Sequence, residues 1–476
     1  MGRWWAILFG LGCWWACTAP KPDDRLPSDP AGRGGRGGFI GSGGSGGQGA
    51  SGDASMGRGG AEAGALGAGG TAAGTAGTEG GAGDGGAAGT PDGGEDVTCP
   101  TRPCPVTAPR CKEGMCLKIS QVATGVSHTC AVIEDGTVSC WGNNGVAQLG
   151  DGTEVTRTRP GPALIGPTDV VQVSAGWYHS CAVTRAGAVW CWGYNFHSQL
   201  GSAGKPQTPV EVHNLGGPAV EVGCHGNSLN GSGGYTCARM KAGSVRCWGA
   251  NTRGQLGNGA TYESNATPTE VLNVADTVQI AIGESAACAL TGMGQVFCWG
   301  NNLEGRLATG SVADYLATPK PVPQLEDVKM IDGGENHFCA VVGLEHSVTC
   351  WGSDGGGALG DGSIEHTSSA LVDTGVKPVT EVRAGWRSTC ALLYSGDVAC
   401  WGRNDEGEFG NGTTNSRDSI ADRTLLASKA NSLSFRWGTG CALLSSGRVQ
   451  CWGHNQGNVG NGLDRGAVIT PEDVLW

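Results

Sequence analysis

The stretch His179-Ser180-Cys181-Ala182-Val183-Thr184-Arg185-Ala186-Gly187-Ala188-Val189-Trp190-Cys191-Trp192-Gly193 decides the architecture. Two cysteines flank a short β-rich segment, and Trp-Gly follows the second. The arrangement recurs seven times, as Cys130 with Cys140, Cys181 with Cys191, Cys237 with Cys247, Cys288 with Cys298, Cys339 with Cys350, Cys390 with Cys400 and Cys441 with Cys451. The tryptophans that follow are Trp141, Trp192, Trp248, Trp299, Trp351, Trp401 and Trp452, spaced 51, 56, 51, 52, 50 and 51 residues apart. A period near fifty residues marks supersecondary units that are stacked or set radially, because one unit cannot bury its own apolar faces.

In six of the pairs a glycine follows the midpoint: Gly136, Gly187, Gly243, Gly294, Gly396 and Gly447. That offset predicts a three-residue hairpin loop closed by a residue with positive φ. The segment from Cys339 to Cys350 is one residue longer and has Leu344-Glu345 at its centre. If Ile133 and Thr137 close the first loop as a hydrogen-bonded pair, alternation makes Cys130 and Cys140 a non-hydrogen-bonded pair. Such pairs have Cα atoms about 4.5 Å apart, within reach of a disulfide. Seven intra-hairpin disulfides are therefore expected, each worth roughly 2–3 kcal/mol by loop closure. The tryptophan beside the second cysteine projects from the opposite face of the strand. It is expected to pack toward the next blade's disulfide.

Outside the array the chain changes character. Residues 1–17 hold one basic residue, Arg3, and a short apolar run, the length of a signal peptide and too short to span a bilayer. The segment resembles a bacterial lipoprotein signal with lipidation at Cys17; Cys13 and ordinary secretion are the competing readings. Residues 18–97 are dominated by Gly, Ala, Ser and Thr and read as a disordered tether, about 50 Å in r.m.s. span. Residues 98–118 form a small module holding Cys99, Cys104, Cys111 and Cys116, whose spacing and exported setting favour disulfides over zinc and leave the pairing open.

Residues 119–476 carry the repeats. Each unit reads as a strand (170–174 in the second), a turn at Ala175-Gly176, the cysteine hairpin, a Gly-rich loop and a Pro-led strand such as 268–271. The last such strand, 471–474, has no hairpin after it and is expected to complete the blade begun at Ile119. Cys224 is left over, either free or paired with the small module.

After each Trp-Gly the chain reaches Asn144, Asn195, Asn251, Asn302, Asp354, Asn404 or Asn455. Gln-Leu-Gly follows at 148–150, 199–201 and 255–257, and Gly-x-x-His precedes the hairpin at His128, His179 and His337. Together these motifs resemble the repeat of the regulator of chromosome condensation family. The resemblance implies an all-β, seven-bladed propeller. The namesake's activity, nucleotide exchange on a small GTPase with chromatin binding, fits poorly. GTPases work in reducing compartments, and a net charge of -12 opposes a nucleic-acid face. Secreted bacterial members, which include a β-lactamase inhibitor, are nearer in compartment.

No phosphate loop, nucleophile elbow or paired-carboxylate signature stands apart from the repeat, so neither catalysis, a cofactor nor a metal is expected. The three Gly-x-x-His histidines occupy one repeat position and read as structural, each hydrogen-bonded within its blade. Asp151 and Asp361 suggest calcium, but Asn258, Asn411 and Asn461 take the equivalent place, which suits a turn equally well. One position breaks the repeat: the turn before the hairpin holds Val126, Trp177, Gly233, Glu284, Glu335, Trp386 and Trp437. Trp177, Tyr178, Trp386, Arg387 and Trp437 form the candidate binding rim, since turn aromatics are frequent interface anchors; a covering role over the central channel competes with it. The sequence reads as an extracellular or surface-anchored monomer that binds a protein or other macromolecule, touching a membrane only through a lipid anchor. Exchange-factor-like regulation and polysaccharide binding or processing are the alternatives.

Overall fold

The computed structural model describes residues 111–476, apart from 113–114, 162–163, 165, 205, 227–232 and 364–366. The expected signal peptide, lipidation site at Cys17 or Cys13 and tether, together with Cys99 and Cys104, lie outside the described residues. Among the described residues no helix is long and apolar enough to cross a membrane.

After a two-stranded ribbon of Cys111–Lys112 and Met115–Cys116, seven larger antiparallel sheets follow one another along the described chain, each made of consecutive strands. The second comprises Val170–Ala175, His179–Thr184, Val189–Gly193 and Val210–Glu211. Blades 2 to 7 have four strands; blade 1 has three, Ile119–Thr124, His128–Ile133 and Val138–Gly142, with an isolated bridge from Gly142 to Arg157. The first strands of all seven line one cavity of about 320 Å³, the central channel of a β-propeller.

The hairpins have the register the cysteine spacing requires. Ile133 N–H donates to Thr137 O at 2.8 Å, and Cys130 faces Cys140. All seven expected disulfides are formed within their own hairpins. Cys130 is bonded to Cys140, Cys181 to Cys191, Cys237 to Cys247 and Cys288 to Cys298. Cys339 is bonded to Cys350, Cys390 to Cys400 and Cys441 to Cys451. The Cα atoms are 4.1 Å apart in every pair, somewhat closer than strand geometry alone suggests. Gly136, Gly187, Gly243, Gly294, Gly396 and Gly447 have φ between 77° and 87°. The longer loop in blade 5, between Cys339 and Cys350, makes the same reversal with Gly343 at φ 69° and His346 at φ 52°.

Three expectations are corrected. First, the final strand, Val468–Asp473, pairs with Val449–Gly453 and completes blade 7, not blade 1. Each hairpin takes its outer partner from the segment that follows it, and the seventh is no exception. The ring closes by packing instead: Ile119 and Ala131 share a core with Cys441, Cys451 and Val474, and Trp141 Nε1 donates to Asn458 O at 2.9 Å.

Second, the buried tryptophans point backward. Trp248 packs on Cys181 and Cys191, Trp299 on Cys237 and Cys247, and Trp351 on Cys288 and Cys298. Trp401 packs likewise on Cys339 and Cys350, and Trp452 on Cys390 and Cys400. Strand alternation puts Cys and Trp on opposite faces but does not say which face looks at which neighbour. The indole N–H then donates to a carbonyl of the preceding blade, as Trp192 does to Gln148 O at 2.8 Å and Trp248 to Gln199 O at 2.9 Å. Trp351 Nε1 has no acceptor among the described residues, and its ring stacks on Phe338 instead. Replacing Trp248 by Ala removes a fully buried indole from this seam and is expected to cost about 3–5 kcal/mol in urea unfolding. A cost below about 1 kcal/mol would mean that the site collapses to fill the void.

Third, the Gly-x-x-His histidines bond across blades. Nε2 of His128, His179 and His337 meets Ser180 Oγ, Thr236 Oγ1 and Thr389 Oγ1 of the following blade at 2.7, 3.0 and 2.9 Å. Those hydroxyls donate to Gln148, Gln199 and Ala358 carbonyls, so each must accept from its histidine. Each histidine therefore carries a proton on Nε2, and burial, which lowers His128 and His179 to about 3 and His337 to about 4, keeps the imidazole ring neutral.

Candidate partner-binding surface at the channel mouth

The innermost strands are sewn together by side chains that imitate the backbone. Gln121 Nε2 donates to Val173 O at 3.1 Å, and its Oε1 accepts Val173 N–H at 2.8 Å. Gln172 clasps Val222 in the same way, and Gln279 clasps Ile331. In blades 3 and 6 Glu221 and Glu381 take this place and accept only, each paired to an arginine, Arg239 and Arg383. The seam between blades 7 and 1 has no such clasp; Thr124 N–H donates to Ser434 Oγ at 2.9 Å instead.

One end of the channel is plugged by residues that break the repeat. Five blades turn out of the first strand through glycine, Gly125, Gly176, Gly283, Gly334 and Gly385, while blades 3 and 7 place His225 and Arg436 there. A Cβ at Gly125 would lie 2.5 Å from Gly176 O, and one at Gly334 2.2 Å from Gly385 O, so those turns need glycine. Gly226 N–H donates to His225 Nδ1 at 2.6 Å, which leaves the proton on Nε2, 3.3 Å from Glu335 Oε1. Trp177 Nε1 donates to the same oxygen at 2.9 Å. Glu335 is held below the usual carboxylate range: burial pushes it up, and His225 and Trp177 outweigh that. Arg436 Nη1 reaches Ile282 O at 3.3 Å across the plug.

Over this plug the candidate rim residues come together instead of spreading round the ring. The turns lie at the inner ends of the blades, so side chains from blades 2, 6 and 7 meet near the axis. Trp177 and Trp437 have ring centroids 6.3 Å apart, and Trp386 stacks on Trp437 at 5.4 Å. Tyr178 meets Trp177 at 5.8 Å and extends the row through Tyr194 to Phe196, which is 65% exposed. All three tryptophans are half-buried, and Arg387 is exposed with its guanidinium 4.6 Å from the Trp386 ring centre. Trp437 has φ 57°, a left-handed conformation that costs a bulky residue free energy and often marks a functional site. Rim and cover thus describe one place: Trp177 caps buried groups, while Trp386, Arg387 and Trp437 stand over the mouth.

The fourteen hairpin cysteines take no part in this surface. Cys298, Cys350 and Cys400, like the other eleven, are buried inside the blades, where they staple hairpins and receive the next blade's tryptophan.

The RCC1-like domain model matches residues 63–385, and the RCC1 repeat model matches residues 379–408. The chain belongs to the RCC1-like family. Among curated relatives it is 31% identical to the ultraviolet-B receptor UVR8 of Arabidopsis thaliana over 63% of this chain and 69% of the receptor. It is 33% identical to the probable E3 ubiquitin-protein ligase HERC6 of Homo sapiens, over 50% of this chain but only 23% of the ligase. Among solved structures, yeast Prp20 bound to Kap60 aligns with a TM-score of 0.62 and 21% identity over 75% of this chain and 84% of that one. Human WBSCR16 aligns at 0.60 and 24%, over 67% and 85%. At these identities the two structures speak for the fold alone.

Within this RCC1-like propeller the Gln of Gln-Leu-Gly also has a defined task. Gln148, Gln199 and Gln255 each accept the N–H of the residue two before them through Oε1. Blade 6 puts Glu408 there, accepting Glu406 N–H at 2.8 Å, in a niche lined by Trp386, Arg403, Trp437 and His454. Burial raises the Glu408 carboxyl to about 7. A carboxyl raised on folding contributes fully below about 4.5, and the contribution is lost as pH rises toward 7. Glu408→Gln is therefore expected to stabilise the protein by about 2–3 kcal/mol at pH 8 and to change little at pH 5. Equal denaturant midpoints for the two proteins at pH 8 would show that Glu408 is not strained by ionisation.

The RCC1-like repeat accounts for the other candidates without a metal. Asp151 accepts from Thr153 N–H and Oγ1 and pairs with Arg157 at 2.7 Å, as Asn411 holds Thr413 two residues on, so the carboxylate is spent on its turn. Cys224 is free and buried, its thiol pushed up to about 11 by burial and donating to Ser174 O at 3.1 Å. It lies near His179 and Cys181, but Cys181 is bonded to Cys191 and His179 Nε2 is bound to Thr236.

Proposed function

We propose that this propeller is a non-catalytic recognition module that works in an oxidising, exported setting and holds a protein partner at the channel mouth. The observation that carries the reading is the contiguous, half-exposed aromatic row from Phe196 to Trp386, built over a sealed channel and including a tryptophan in a strained conformation. Aromatic and arginine anchors of this kind dominate binding energy at protein interfaces. The seven disulfides support export, since such bonds persist in oxidising compartments, and a lipid anchor ahead of the tether would hold the ring clear of a surface. Prp20, a structure of similar fold, is described as binding Gsp1p and histones; an exchange role here would need a cytosolic setting.

The test is affinity capture from cell-surface extracts with the full chain and with Trp386→Ala and Trp437→Ala. A partner held by the wild type and lost by either variant, at a cost of about 2 kcal/mol or more in binding, supports the reading. Undiminished capture by both variants overturns it. Trp177→Ala is a poor probe, because it leaves the buried Glu335 carboxylate short of a donor and should lower folding stability as well.

A further inference from the structure

The rings at the mouth offer edges more than platforms. Trp386 and Trp437 lie 14° from parallel with their faces turned on each other. Trp177 meets Trp437 at 71°, Tyr178 meets Trp177 at 68°, and Tyr194 meets Tyr178 at 60°. A sugar ring stacks on an open flat face, and this corrugated strip presents few. Its ridges and notches suit apolar side chains of a polypeptide instead.

Charge narrows the partner further. Arg403 pairs with Asp405 at 2.8 Å, His454 with Glu406, and Glu335 is taken up by His225 and Trp177. Asp405 feels Arg387 but spends its oxygens on Arg403 and on Ser416 Oγ at 3.0 Å. Among the described residues Arg387 has no ion pair of its own, although it is exposed and lies 4.6 Å from the Trp386 ring centre. Arg403 shares the Trp386 ring, its guanidinium 4.7 Å from the centre, but is matched by Asp405; Arg387, steadied over the same ring without a carboxylate, is the cation suited to receive one through two parallel hydrogen bonds. The protein carries a net charge of -12, so long-range attraction does not bring an acidic partner here; the preference is one of contact.

We propose that the channel mouth recognises a protein segment in which an Asp or Glu side chain stands beside an apolar one, the carboxylate pairing with Arg387 and the apolar group seated against Trp437 and Trp177. The proposal rests on the recognition reading above.

The test selects binders from a random-peptide display library with the full wild-type chain, then measures one enriched peptide against wild type, Arg387→Gln and Trp437→Ala. Circular dichroism and thermal unfolding confirm that each variant is folded. Enriched sequences are expected to place Asp or Glu next to Leu, Ile, Phe or Trp. Arg387→Gln should weaken binding about tenfold or more. Changing the peptide's acid to its amide should weaken wild type by a similar factor and leave Arg387→Gln unaffected, the signature of direct coupling. Enrichment of basic or purely apolar peptides, no enrichment, or independent effects of the two changes would overturn the proposal. If Trp437→Ala abolishes binding while Arg387→Gln does not, only the carboxylate assignment fails. If neither matters, the recognition site itself is wrong.

Discussion

Full reduction of the disulfides will unfold the propeller in a denaturant concentration at which the oxidised protein remains native. Each bond joins cysteines 10 or 11 residues apart, and closing so short a loop contributes roughly 2–3 kcal/mol. Taken seven times, that matches or exceeds the roughly 5–15 kcal/mol that separates folded from unfolded for typical domains. The cysteines themselves are almost fully buried, so reduction must proceed through local opening and will be slow in native buffer. Urea titrations with and without reductant, followed by tryptophan emission, measure the effect directly. Non-reducing peptide mapping should recover Cys181 linked to Cys191 within one short peptide. Coincident midpoints for oxidised and reduced protein would refute the expectation, as would linkages between blades.

Acid should destabilise the ring well before its carboxylates are neutralised. Burial lowers His128 and His179 to about 3 and His337 to about 4. A second proton would also find nothing to bond, since Nδ1 of His128 and of His337 has no partner among the described residues. In the unfolded chain the same histidines protonate near 6.5. Stability is therefore full above about pH 6.5 and declines as pH falls toward 3–4. At pH 5 each histidine should cost roughly 2 kcal/mol, or about 6 kcal/mol for the three. Unfolding free energies measured between pH 7.5 and 5 give the slope, which His225, likewise lowered by burial, steepens and Glu408 opposes; replacing one of the three histidines by Gln should remove roughly 2 kcal/mol of the fall. A slope that no histidine substitution changes would place the proton uptake elsewhere.

The parts of this molecule that local geometry dictates are readable in the amino-acid order. Hairpin register follows from cysteine spacing and from glycines such as Gly136 at one offset, because both depend on residues within one loop. What depends on how blades meet is not readable there. Trp248 faces the disulfide behind it, His179 reaches Thr236 in the blade ahead, and Val468–Asp473 stays with its own hairpin. All three follow from the sense in which successive sheets go round the ring. The candidate surface divides similarly. Trp177, Trp386 and Trp437 stand out because they break the repeat, yet their mutual contact across the axis requires the closed ring. His225 and Arg436 carry the same kind of signal, a large residue where five blades turn through glycine, but the irregular turn of blade 3 obscures the alignment. Glu408 is visible only as a looser copy of Gln-Leu-Gly; its meaning comes from the burial of that site.

The contiguity of the blades has one more consequence. Among the described residues no sheet borrows a strand from the far end of the chain, and the two ends of the array meet, Leu117 and Ile119 sharing a core with Val468 and Val474. Such a ring has no privileged origin. Cutting it at any connector between blades and joining the present ends would leave every sheet whole, so circular permutants of residues 117–476 should fold. A gene encoding it can likewise gain or lose about fifty codons at a time without orphaning a strand in the neighbouring blade, which makes the blade a unit of inheritance as well as of structure.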